Sequence, residues 1–369
     1  MILAGAFAVL FTSEAWAGPS SFVIGVQDRR LNIAGVDDPA GGDFPAVDNE
    51  QTSVRSTWTW RTTEKLTIVA QTGWANSFLE LNDTELAGMT DGRLRFLYRP
   101  APAWVLGVGT IIPFGLYELT ANEVTAAQWT WNPRSGFPLS SFGAGLGYEL
   151  TLARAFDLSD NVSAGVAGAF LKHAEFDLLA GGTGKYRLGD EFGLSSALDI
   201  RFARGRMLRL DFAYVLFGTD QLGGADFVDQ GDQIQLGAQL HLPAGAFTTT
   251  WALRGVTKGD NTLFQTDDAD SLVEIAQASG SYLYFDGRIA YAFTRDFLFH
   301  VFGRITASDE SEYAIGANGT SFQFGPGIGW RLGRSASIGL QYGYIDGHGD
   351  GDVSFDGSDI LFTLELRSQ

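Results

Sequence analysis

The stretch QIQLGAQLHL, residues 233–242, places Ile234, Leu236, Ala238, Leu240 and Leu242 on every second position, with Gln233, Gln235, Gln239 and His241 between them. A helix would gather its apolar positions at a period near 3.6, so a period of two marks a strand with one apolar and one wet face. The pattern recurs in residues 66–71, 192–202, 322–332 and 360–366. It is clearest in 208–214, where Leu208, Leu210, Phe212 and Tyr214 alternate with Arg209 and Asp211. A soluble β-sandwich alternates in the same way, so the joins between strands must decide the architecture.

Those joins alternate between short and long. Short ones fall at 62–65, 100–103, 157–161, 204–206, 243–245, 294–296 and 333–335. Longer polar segments fall at 35–51, 76–90, 118–138, 174–190, 218–231, 257–280, 307–319 and 346–357. Seven tight turns join fourteen strands, and one strand more at each end gives about 16, with 14 as the alternative count. The fold expected is all-β, an antiparallel up-and-down transmembrane β-barrel with both termini on the short-turn side. Closure has a physical reason. In hydrocarbon each unpaired backbone N–H or C=O costs several kcal/mol, and a closed sheet has no edge. A barrel of this size is too wide for side chains to fill, so the glutamines of 233–239 and His241 should face a wet lumen.

The rest of the chain fits one such domain over 18–369, with 47 glycines in 369 residues and no proline- or serine-rich linker. Residues 1–17 read as a signal peptide. An apolar run to Phe11 leads to Ala15-Trp16-Ala17 before Gly18-Pro19, though the usual early Lys or Arg is missing. No other stretch holds the roughly 18 apolar residues of a membrane helix. The absence of cysteine agrees with export that needs no disulfide. Trp58, Trp60, Trp74, Trp104, Phe114, Tyr148, Tyr291, Trp330, Tyr342 and Tyr344 share parity with the apolar face and lie mostly toward strand ends, as interfacial girdles do.

On these features the chain resembles a Gram-negative outer-membrane β-barrel of porin type. Residues 108–115 and 141–148 carry a weaker resemblance to the long-chain fatty-acid transporter barrels. The resemblance implies tight turns in the periplasm, long loops outside, outer-membrane lipid and lipopolysaccharide as neighbours, and a homo-oligomer as one assembly open to it. Two departures stand out. The chain ends Leu364-Glu365-Leu366-Arg367-Ser368-Gln369 where such barrels commonly end in an aromatic residue, and it lacks the transporter family's Asn-Pro-Ala start and plug.

Charge is sorted by position. The net charge is −18, with acid in the loops: Asp37, Asp38, Asp43, Asp48 and Glu50; Asp267, Asp268 and Asp270; Asp346, Asp350, Asp352 and Asp356. Inward parity instead gathers arginines: Arg55, Arg93, Arg95, Arg99, Arg201, Arg209, Arg254, Arg288, Arg304 and Arg331, against Glu149, Asp199, Asp211, Asp286 and Glu365. A three-residue turn at 294–296 sets Asp286 opposite Arg304, where they would neutralise each other. The same reckoning around 100–103 sets Arg93 opposite Gly109 and Arg95 opposite Gly107, leaving both guanidiniums free. Porins commonly fold a third loop inward, its carboxylates facing a positive wall. That likeness implies a constriction of Arg93, Arg95 and Arg55 facing Glu118 or Glu123, in a loop that also holds Trp129 and Trp131. The competing account has the arginines satisfying lumen carboxylates or binding lipopolysaccharide near the rim.

Other chemistry is poorly supported. Asp346, Asp350 and Asp352 lie in a Gly- and Asp-rich loop without calcium-loop spacing, which makes them a weak metal candidate beside a solvated loop. The histidines 173, 241, 300 and 348 show no metal spacing. No nucleophile accompanies a base, so no enzyme is expected and no cofactor is implied. An acidic surface argues against nucleic acid. What remains is a channel for passive diffusion of small hydrophilic solutes, an uptake barrel for hydrophobic compounds, or a barrel that anchors surface partners. Apolar inward residues in the third loop favour the second, charged ones the first.

Overall fold

The computed structural model describes residues 20–35, 37–38, 42–43, 46–80, 83–115, 118–120, 122–123, 126–127, 137, 139, 143–178, 180, 182, 184–264, 272–275, 281–309, 319–349 and 353–368. Residues 1–17, Trp129, Trp131, Asp267, Asp268, Asp270, Asp350 and Asp352 lie outside them.

Sixteen antiparallel strands form the barrel. They are β1 (Ser21–Ala34), β2 (Val47–Arg61), β3 (Leu66–Leu79), β4 (Thr84–Met89 with Gly92–Tyr98), β5 (Trp104–Ile112), β6 (Gly147–Ser159), β7 (Val162–His173) and β8 (Glu191–Arg201). After them come β9 (Met207–Phe217), β10 (Gln233–Ala244), β11 (Phe247–Lys258), β12 (Tyr282–Ala292), β13 (Phe297–Ser308), β14 (Gly319–Leu332), β15 (Ala336–Gly349) and β16 (Ser354–Arg367). Each strand pairs with the next, and β1 pairs with β16 from Ser21–Arg367 to Ala34–Ser354. The ring therefore has no free edge. The start of β1 and the end of β16 lie at the tight-turn end, where the Ser368 amide donates to the Ser20 carbonyl (2.8 Å).

Alternation sorts the two faces. In β10, Leu236 is 59% exposed on the outside while Gln233 is 5% exposed within. An apolar exterior around a polar lumen, with Trp58, Trp60, Trp330, Tyr342 and Tyr344 exposed on the outer face, makes this a barrel of the outer-membrane type. The hairpins are locked locally. At the β2–β3 turn the amides of Lys65 and Leu66 both donate to the Thr63 hydroxyl, and Thr294 does the same for Asp296 and Phe297. Between β8 and β9 the sharp reversal puts Arg204 (φ 64°) and Gly205 (φ 73°) in the left-handed region.

Two of the expected long loops are mostly strand. β3 continues to Leu79 and β4 begins at Thr84, while β15 reaches Gly349 and β16 begins at Ser354. Here the polarity of the faces inverts. In β1, Phe22, Ile24 and Val26 point out toward the tight-turn end, but toward the loop end the outward positions are Asp28, Arg30 and Asn32 and the buried inward ones Leu31 and Ile33. The outward groups bond to one another: Asn32 donates to Asp48 (2.6 Å), Asn76 to Glu85 (2.7 Å), and Thr52 to Asp28 (2.9 Å). Strands of 14 or 15 residues exceed the 9–11 needed to cross, so this end stands clear of hydrocarbon as a polar collar.

The register around 100–103 differs from expectation by two residues. Arg93 pairs with Ile111 and Arg95 with Gly109, because the strands end at Tyr98 and resume only at Trp104. The Asp286–Arg304 pairing is as expected. A one-residue shift interrupts β4: Trp74 pairs with Met89, yet Gln71 pairs with Arg93. The extra residue of this bulge turns Asp91 inward. Beyond the ring, short segments Tyr186–Arg187, Thr219–Leu222, Ala225–Asp229, Asn261–Phe264 and Leu272–Ile275 form a separate five-stranded sheet.

Candidate functional site

The inverted inner face near the loop end is covered by the third long connection, 113–146. Its Ala126 packs with Val47 and Leu79, its Leu119 and Ala127 with Leu86, and its Phe137 against Leu31, Ile33, Ile345, Val353 and Phe355. Gln51 donates from Nε2 to the Leu139 carbonyl (2.8 Å). Gly73 leaves room for the same segment, since a Cβ there would stand 2.7 Å from Leu139 Cδ1. Both ends of the connection are held by Asp91. One carboxylate oxygen accepts the Gly115 amide (2.9 Å), and the other the Ala144 amide (2.6 Å). The loop thus folds inward, on apolar contacts rather than carboxylates.

Beside it lies a cavity of about 1000 Å³. Arg29, Arg55, Arg93, Arg254 and Arg304 line it, as do Asp91, Glu191, Asp211 and Asp286, together with Ile111, Phe137 and Leu139. The arginines differ in freedom. Arg93 is ion-paired with buried Glu149 (2.6 Å), so its guanidinium is not the free one expected. Arg95 is 3% exposed and donates to Gln71 Oε1 (3.3 Å), which removes it from any open wall. Arg304 holds Asp286 at 2.6 Å in open lumen. Arg288 donates to His300 Nδ1 (3.0 Å), which fixes that ring nitrogen as an acceptor. Arg201 ends β8 at the tight-turn side, away from the cavity lining. Arg55 and Arg254 remain exposed on the lumen face with no ion pair among the described residues.

The expected acidic side is also elsewhere. The Glu123 carboxylate accepts the Thr120 amide (2.7 Å), closing a local turn, and the Glu118 amide donates to the Asp177 carbonyl (3.0 Å). Neither lines the cavity. The acids close to the cavity's arginines are instead Glu149, Asp286 and Asp359. Buried Asp359 accepts from Gln27 (3.0 Å), Gln323 (2.8 Å) and Arg29 (3.4 Å). Sequence reasoning missed Arg29 and Asp359 because Gln27-Asp28-Arg29-Arg30 and Asp356-Gly357-Ser358-Asp359 are polar on both faces, so no alternation marks the inward side. Asp346 points outward on β15, and among the described residues no group of three His, Cys, Asp or Glu side chains is placed to hold a metal.

The outlying loop sheet reaches the same space, since Leu188, Gly189 and Gln230 line the cavity. Its hub is buried Asp220, which accepts from the Tyr186 hydroxyl, the Gly189 amide (2.7 Å) and Gln230 (3.1 Å). Burial, and then the neighbouring Asp220 carboxylate, raise the pKa of Tyr186 well above the usual phenol range, so it stays a donor. The arrangement can pass or hold a solute; among the described residues that line it, no nucleophile stands beside a base.

No protein-family model and no curated protein matches the chain. It is similar to the solved structures of OccK11 (OpdR) from Pseudomonas aeruginosa (11% identity, TM-score 0.45, 95% of this chain and 98% of that one). It is also similar to the CymD monoaromatic hydrocarbon channel (9%, 0.44, 98% and 92%) and to the outer membrane protein OpdK of Pseudomonas aeruginosa (8%, 0.45, 94% and 98%).

Proposed function

We propose that this barrel is an outer-membrane channel for passive diffusion of small solutes, with a preference for anions that carry a modest apolar part. The observation behind this reading is the cavity wall itself: exposed, unpaired Arg55 and Arg254 share a space of about 1000 Å³ with Phe137 and Leu139 of the inward loop. A guanidinium in a narrow, partly apolar passage attracts an anion more strongly than it would in bulk water, because the local dielectric is lower. Arg29, Arg93, Arg288 and Arg304 have side-chain partners, Arg95 is buried and Arg201 lies away from the cavity, so the anion preference rests on Arg55 and Arg254 set against the Asp91, Glu191 and Asp211 carboxylates of the same wall. Glu118 and Glu123 take no part in the constriction proposed here.

Planar bilayers test it. Under a KCl gradient the wild type should show stable conductance with a reversal potential favouring chloride, and Arg55→Glu with Arg254→Glu should reverse that sign. No conductance in folded, reconstituted protein would refute the channel. A second reading, uptake of hydrophobic compounds, draws on the apolar character of 119, 126, 127, 137 and 139. It would gain if a fatty acid or detergent copurified in the lumen of a non-conducting barrel.

A further inference from the structure

The lipid-facing wall carries charge toward its loop end, where water and headgroups reach it. In the tight-turn half, among the described strand residues, the outward parity holds a charged side chain at Arg154 of β6. Its outward companions are Tyr148, Leu150, Leu152, Phe156 and Leu158. The Arg154 guanidinium lies 4.9 Å from the Trp104 ring centroid and 4.7 Å from that of Phe156. No carboxylate among the described residues pairs with it. Ring faces hold and orient a cation but do not cancel its charge. An arginine on a lipid-facing strand is tolerated where its long stem lets the head reach the interface, and there the available counter-charge is the lipid's own.

The wall beside it also fits a lipid. Val166 of β7 stands directly across from Arg154, and two residues on, Gly168 has no atom closer than 4.0 Å to where a Cβ would be. Gly168 pairs with Leu152, so the surface dips two residues toward the loop end from the position across from the cation, beyond the exposed Val166. We propose that Arg154, clamped between Trp104 and Phe156, seats the phosphodiester of a glycerophospholipid in the leaflet nearest the tight turns, with an acyl chain rising over Val166 and Gly168. The site is independent of what the lumen passes.

Native mass spectrometry of the full, folded barrel in dodecyl maltoside, titrated with dioleoylphosphatidylglycerol, tests the proposal. The wild type should retain one lipid with an affinity about tenfold above that of Arg154→Gln, a loss of roughly 1.4 kcal/mol. Arg154→Lys should retain most of the binding, and Trp104→Leu should weaken it with the charge still present. Dioleoylglycerol, which lacks the phosphate, should not distinguish wild type from Arg154→Gln. Equal retention of phosphatidylglycerol by wild type and Arg154→Gln would overturn the site. So would inorganic phosphate displacing nothing while dioleoylglycerol shows the same loss as the phospholipid, since the contact would then be apolar. If Arg154→Gln fails to fold on a heat-shift gel, the comparison of Trp104→Leu with Arg154→Lys decides: unaltered binding in Trp104→Leu rejects the clamp.

Discussion

At the level of single residues, the lumen separates charges that build the wall from charges that face the passage. Arg93 and Glu149 are both shielded, with side chains 11% and 3% exposed, so removing one strands the other. Arg93→Gln should lower stability by about 3 kcal/mol by breaking a buried ion pair, with Thr151 still donating to the Glu149 carboxylate (3.3 Å). Arg55→Gln, on an exposed side chain without an ion pair, should leave stability within about 0.5 kcal/mol. Urea titration of refolding into lipid vesicles compares the two, and equal losses would mean that the Arg93 pair is effectively solvated. Asp91 works differently, because its two oxygens hold the amides of Gly115 and Ala144 at opposite ends of the inward loop. In Asp91→Asn one acceptor becomes a donor facing an N–H, forfeiting about 1.5–3 kcal/mol of charge-assisted bonding at that end. Single-channel recordings should then show larger mean conductance and more open-state noise; an unchanged trace would show that the apolar contacts alone keep the loop in place.

At the scale of elements, the strands are legible in the sequence wherever hydrocarbon lies on one side and water on the other. Phe192 to Phe202 and Gln233 to Leu242 can be read directly from their alternation, and all seven tight turns follow. The upper ends of β1, β2, β15 and β16 are not readable in this way. There the apolar residues change parity, from Val26 outward to Leu31 inward, because the exterior has left the bilayer while the interior packs against Phe137 of the third loop. A period-two pattern that reverses phase in mid-strand looks like a polar loop. The same reversal hides Arg29 and Asp359, and the five residues between Tyr98 and Trp104 displace the Arg93 register by two. The loop's own role follows from packing that spacing does not encode. If Phe137 and Leu139 give the passage its apolar share, Phe137→Ser with Leu139→Ser should cut the permeability of hexanoate relative to acetate about threefold or more, since each CH₂ shielded from water is worth roughly 0.8 kcal/mol. Liposome swelling with the two salts measures it, and an unchanged ratio would remove the loop from solute choice.

For the whole molecule, the anion preference proposed above turns on distance. The chain is acidic at −18, yet the rim acids on β2 are Asp48 and Glu50, and Arg55 lies seven (55 − 48) and five (55 − 50) residues further along the strand. At about 3.3 Å per residue that is about 17–23 Å along the wall. The Debye length is about 8 Å at 0.15 M, so the rim acids are screened from an ion at the level of Arg55 while the guanidinium at its side is not. Raising KCl from about 0.1 M to 1 M shortens the screening length from about 10 Å to about 3 Å. The chloride preference should therefore shrink toward parity over that range, measured as reversal potential at a fixed concentration ratio. Arg55→Glu with Arg254→Glu should show the mirror-image decline from a cation preference. A chloride preference that holds its full size at 1 M would mean that anions are bound in contact with the guanidiniums, as in a site, rather than drawn by their field.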